Sequence, residues 1–167
     1  MQIKISADDY RLLQPLLPPA PSGDFRYRFA GDTLTVADAY ADAVRKIVDD
    51  PKWKARAVKD SLRQRAAEKR ATMDVAGANF LGHAVATDRD TVARIVALDA
   101  LVQTTPRDIT WKFDDGTFQV LDATQMHQLA QAVGAHIARC LEIERAVNAK
   151  IENGAIATTD QVDAAFA

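Results

Sequence analysis

The last third of the chain constrains the fold most, because from Asp122 to about Asn153 a helical pattern runs on without a proline. A helix of that span is about 45 Å long at 1.5 Å per residue, more than a compact domain of this size needs to bury. Part of the rod is therefore expected to reach a neighbour. Asp122 with Gln125 three residues on is a capping signature, and Asn153-Gly154 is a stop. A heptad reading puts Met126, Val133, Cys140 and Val147 at a, and Leu129, His136, Ile143 and Lys150 at d, with Ile137 and Ile151 beside the seam. The first half of this stripe suits packing on the chain's own elements. The second half, through Ile143, Val147 and Ile151, is read as a stripe offered to another chain.

Directly before the rod, Ile109 to Leu121 reads as a hairpin. A two-residue Asp115-Gly116 loop sets Phe113 opposite Phe118 and Trp111 opposite Val120, and such aromatic pairs are read as core. An earlier hairpin has Phe25, Tyr27 and Phe29 alternating with Arg26 and Arg28, then a Gly31-Asp32 turn that brings Phe29 to face Leu34. The remaining segments read in order as a strand Gln2 to Ile5, a helix Ala7 to Leu17 ended by Pro18, Pro19 and Pro21, and a helix opening near Thr35. A second helix follows Asp50-Pro51 to about Arg70, then come an irregular hairpin over Val75 to Ala86 and a helix capped within Thr87 to Asp90. A short terminal helix starts at Thr158 and ends in Phe166. This order predicts an α+β fold: a small N-terminal strand and helix docking unit, residues 1–70, whose basic helix connects it to a C-terminal unit, residues 71–167, of a hairpin packed on helices with the long C-terminal helix.

The composition, 48% hydrophobic and 26% charged, is that of a globular protein, and a net charge of -2 gives no global pull toward nucleic acid or anionic membrane. Every long apolar run is interrupted by charge, so neither a signal peptide nor a membrane span is expected. Cys140 is the single cysteine and reads as a small buried hydrophobe in the helical stripe.

Catalytic patterns are sparse. Ser6, Ser22 and Ser61 lack a glycine-flanked elbow, and the glycines form no phosphate-cradling loop. His83, His127 and His136 lack metal-ligand spacing, while Asp88, Asp90, Asp114 and Asp115 already have duties as caps and turn residues. No enzyme, cofactor or metal is expected. One charge feature stands out: ten Lys or Arg against four Asp or Glu lie between Arg45 and Arg70. At 100° per residue Lys52, Arg56, Lys59, Arg63 and Arg70 share one narrow sector of the helix. That ridge reads as a solvated face or a site for an acidic protein surface, ahead of a phosphate backbone.

Three stretches carry a family resemblance: Val85 to Arg89; Trp111-Lys112-Phe113 through Asp115-Gly116 to Val120-Leu121; and Ala135-His136-Ile137 with Cys140 and Glu144. In order and spacing, residues 62–151 resemble an uncharacterised domain family of phage and prophage tail-fibre assembly and tail-associated proteins. The resemblance implies a structural or adaptor component of a bacteriophage tail, at fibre, baseplate or tip, located in the virion tail and in the host cytoplasm during assembly. It implies other tail proteins as partners and a homo-oligomer, with a trimer compatible with threefold fibres. An alternative is a fibre-assembly chaperone that leaves before maturation; one of another class is a small nucleic-acid-binding regulator using the basic ridge. The interface expected on these grounds is Lys52, Arg56, Lys59, Arg63, Arg70, Ile143, Val147, Ile151 and Phe166.

Overall fold

A computed structural model describes residues 1–19 and 27–167. The chain forms two units, Met1 to Gln64 and Arg65 to Ala167.

In the first unit, β1 (Gln2–Lys4), β2 (Tyr27–Ala30) and β3 (Thr33–Val36) make an antiparallel sheet with β3 in the centre. Gly31 takes φ +62° at the first turn position, and Phe29 faces Leu34 as the alternation predicts. Phe25, Arg26 and Pro21 lie outside the described residues. The first helix, α1 (Ala7–Leu13), is capped by the Ser6 hydroxyl, which accepts from Asp9 N at 3.1 Å. It tightens into a 3-10 turn over Gln14–Leu16, earlier than the expected Leu17, because Pro15 has no N–H to continue the ladder. Helix α2 (Asp38–Val48) follows, and α3 (Trp53–Asp74) begins after Asp50-Pro51. Leu13, Leu34, Val36, Val44, Trp53 and Ala57 fill the core, and Tyr10 stacks on Phe29 at 4.4 Å.

The boundary between units falls inside α3, six residues before the expected Arg70. The last turns of α3 are tied into the second unit by charge: Arg65 donates to both carboxylate oxygens of Asp163 at 2.8 and 2.7 Å, and Arg70 Nε lies 2.7 Å from Glu144. Composition changes near residue 70, but these long-range ion pairs decide which unit the helix end joins.

The second unit contains the hairpin β4 (Ala78–Phe80) and β5 (His83–Val85), helix α4 (Arg89–Thr104), the hairpin β6 (Ile109–Lys112) and β7 (Phe118–Leu121), then α5 (Ala123–Glu152) and α6 (Thr159–Ala164). Asp88 caps α4, and Asp122 and Thr158 form full capping boxes with Gln125 and Gln161. Phe80, Val85, Ile95, Val102, Trp111, Phe113, Leu121, Met126, Leu129 and Val133 form the core.

The expected rod is present over 30 residues, but its apolar stripe is not left for a neighbour. Met126, Leu129 and Val133 pack with α4 and the hairpins, and further along Cys140, Val147 and Ile151 are 0, 2 and 1% exposed. The end of α3, tied to Glu144, and the returning α6, tied to Arg65, bring partners from the same unit to that half. Expectation erred here because helix length measures reach, not which chain covers the stripe.

Candidate functional site

The sharpest departure from the sequence reading is the register of β6 and β7. Trp111 pairs with Gln119 and Lys112 with Phe118, one residue from the expected alignment. Gly116, at φ +85°, follows a turn in which its N–H donates to Phe113 O at 2.9 Å, and Phe113 N donates to Thr117 O at 2.9 Å. The loop is therefore three residues, Asp114 to Gly116, with glycine in the left-handed third place. A one-residue shift changes which side chains share a face. Trp111 and Phe113 are 5 and 2% exposed, whereas Phe118, expected in the core, is 64% exposed beside Val120 at 62%. Lys112 Nζ sits 5.5 Å from the centre of the Phe118 ring, so the outer face carries one cation against an apolar pair.

Two histidines near the hairpins hold structural hydrogen bonds. His83, half-buried, stacks on Phe113 at 4.6 Å. Its Nδ1 donates to Asp115 Oδ2 at 2.7 Å while the Gln119 amide donates to its Nε2 at 2.8 Å. That bond, with the Thr117 N–H donating to Oδ1 at 2.8 Å, holds the Asp115 carboxyl down at about 2. His127 repeats the arrangement, with Nδ1 3.0 Å from Asp99 and the Gln131 amide 3.0 Å from Nε2. In each case an amide fills the lone pair that a general base would need free. These pairs fasten neighbouring elements.

A third cluster joins the end of α3 to the middle of α5. Arg70 contacts Asp74 one turn on as well as Glu144. His136 Nε2 lies 2.9 Å from Met73 O, so that nitrogen carries the proton and donates. Cys140 Sγ is 3.7 Å from the same nitrogen, yet a nitrogen committed to a carbonyl cannot take the thiol proton. Burial, and then the nearby Asp74 carboxylate, push the Cys140 thiol up, opposite to what a nucleophile requires. Thr87, 5% exposed, accepts from Gly77 N at 3.1 Å and donates to Asp74 O, locking the β4 entry to the helix end. The third resemblance stretch, Ala135 to Glu144, thus builds a clamp.

The expected interface residues divide. Lys52, Arg56, Lys59 and Arg63 belong to the first unit; Arg70, Ile143, Val147, Ile151 and Phe166 belong to the second. Arg56 is met by Asp50 at 2.5 Å and Arg63 by Asp60 at 2.6 Å, so acids outside the sector neutralise part of the ridge. Arg70 is taken up by the clamp, and Val147 and Ile151 are interior, which removes them from any surface stripe; Ile143 and Phe166 are half-buried. Sequence reasoning missed Phe118 and Val120 as surface. The signal that finds them is the order Asp-Asp-Gly, which admits a three-residue loop. Among the described residues no group of three or more His, Cys, Asp or Glu could hold a metal ion, and no helix is long and apolar enough to cross a membrane.

Fold and side-chain geometry together define an α+β chain in which Asp88 and Asp122 cap helices, Asp115 holds a turn, and Arg70, Asp74 and Glu144 form a clamp. The chain belongs to the family described as a domain of unknown function (DUF4376), whose model matches residues 57–166. No curated protein and no solved structure matches it.

Proposed function

We propose that the protein is a structural or adaptor component of a bacteriophage tail, joining copies of itself and other tail proteins at fibre, baseplate or tip. The observation that carries the assembly half of this reading is the outer face of β6 and β7, where Phe118 and Val120 are 64 and 62% exposed. Large apolar side chains side by side on a sheet face favour burial against protein. The tail half rests on the resemblance. Its stretches fall on the β5 end and α4 cap, on the β6 and β7 hairpin, and on the α5 clamp, all of them architectural positions. A nucleic-acid role has less support, since Arg56 and Arg63 already hold acidic partners.

Mass spectrometry of particles purified from a phage or induced prophage encoding this chain tests the proposal. Stoichiometric peptides in the particle are the expected result. Presence in assembly intermediates and absence from finished particles would instead make it a chaperone, and absence from both would sink the tail reading.

A further inference from the structure

We infer that β7 is a self-pairing edge, so that two copies join antiparallel through Phe118–Leu121 into one four-stranded sheet, β6-β7-β7-β6, with Gln119 on the twofold axis. This deepens the assembly reading by naming the surface and its occupant.

The argument starts from the ladder. Residues of an antiparallel pair alternate between those that exchange hydrogen bonds with their partner and those whose N–H and C=O point outward. Phe113 bonds Thr117, so the bonded pairs continue as Trp111 with Gln119 and Ile109 with Leu121. The backbone groups of Phe118 and Val120 therefore face away from β6. Among the described residues the sheet has two strands, and Phe118 and Val120 form no backbone bond beyond it. The residues with outward backbone groups are the same two whose side chains are exposed.

That spacing is self-complementary. With Gln119 opposite Gln119 of the second copy, Phe118 falls opposite Val120 of the second copy, and the reverse. Each such pair exchanges two backbone hydrogen bonds, four in all, using the groups left open in the single chain. A twofold axis perpendicular to the sheet keeps the outer faces together, so each Phe118 packs beside a Val120, an aromatic and β-branched cross-strand pair. The inner residues, Trp111 and Leu121, stay in their own cores.

Charge and length favour this edge and this occupant. The edges β1, β2 and β6 carry Lys4, Arg28 and Lys112, the kind of residue that blunts edge pairing, and the uncharged edges β4 and β5 are only three residues long. Strand β7 has no charge and no proline, so pairing with itself sets no like charges together. In the four-stranded sheet each row reads Lys112, Phe118, then Val120 and Thr110 of the second copy. The two lysines end at opposite margins, three strand spacings or about 14 Å apart, beyond the screening length of about 8 Å at physiological salt. The turn end of β6 is already engaged, since Asp114 N donates to Ala84 O at 3.3 Å.

Sedimentation equilibrium on the full chain gives the first reading, with a dimer mass expected. The double variant Phe118→Lys and Val120→Lys brings four like charges to the seam and should halve that mass while leaving far-ultraviolet dichroism unchanged. Gln119→Cys tests the register without relying on repulsion: oxidation should yield a disulfide-linked dimer. Thr110→Cys, displaced from the axis, should not, and the buried Cys140 of the parent chain should not either. A monomeric parent, or an oligomer that survives the double variant and gives no Gln119→Cys cross-link, would overturn the pairing. Either result leaves the particle mass spectrometry to judge the tail role separately.

Discussion

The hairpin of β2 and β3 and the hairpin of β6 and β7 are written in nearly the same residues, yet their registers differ by the place of one glycine. Gly31 precedes Asp32, so the left-handed residue comes first and the loop closes in two residues with Phe29 facing Leu34. Gly116 follows Asp114 and Asp115, so the turn completes before the left-handed residue is reached and the loop takes three. In the first case the alternation is kept. In the second, Phe118 moves from the expected core to the surface, and a packing element gains an exposed apolar face.

The largest expected effect that tests this contrast is in Phe113 and Phe118. Phe113→Ala should cost about 3–5 kcal/mol as a core truncation, and Phe118→Ala within about 0.5 kcal/mol as a surface change, measured by urea unfolding in the Val120→Lys background so that association does not enter. Comparable costs for the two alanines would restore the register in which they face each other.

The next effect separates backbone strain from crowding. Added methyl groups at Gly31 and Gly116 meet open space, so Gly31→Ala and Gly116→Ala should each cost only the left-handed penalty, about 1–2 kcal/mol. Gly77→Ala should cost more, because its Cβ would come 3.1 Å from Val85 O at φ +96°. Equal losses at all three sites would show that contact with Val85 is unimportant. A gain is expected at the third hairpin, where Leu81 at φ +53° precedes Gly82 at +83° in the turn between β4 and β5. Leu81→Asn should add about 0.5–1 kcal/mol, since asparagine tolerates this conformation better than leucine; an unchanged thermal midpoint would refute strain there.

The smallest effect is in pH. Asp115 is lowered from 3.8 to about 2 by its His83 and Thr117 partners, and Asp32 is lowered by Lys4, 2.7 Å away. Folded values below the unfolded one mean that both contributions are complete above the unfolded value and are lost as pH falls, for Asp115 down through about 2. The urea midpoint should therefore decline between about pH 4 and pH 2, and Asp115→Asn should flatten that slope. A variant titrating with the parent's slope would remove Asp115 from the account.

Much of the fold was legible because its signals are local. Ser6, Asp88, Asp122 and Thr158 cap the helices where their side chains can reach the first free N–H groups, and that reach spans three residues. The exposed face of Phe118 and Val120 was not legible from alternation alone, since period-2 patterning gives the same faces for either loop length until the turn geometry is fixed. The interface assigned to Val147 and Ile151 failed for a different reason. A stripe at heptad spacing says that something covers it, and here Val147 and Ile151 are already buried within the chain itself.

Sequence by itself determined the element order, the caps of α1, α4, α5 and α6, the first hairpin's register and the absence of a disulfide within the chain, because each depends on groups a few residues apart or on a single cysteine. The tertiary structure alone decided that the long helix is wrapped by its own unit, that His136 and Cys140 belong to a clamp, and that Phe118 and Val120 face out. Those outcomes depend on contacts between residues as distant as Arg65 and Asp163, whose approach no local rule encodes.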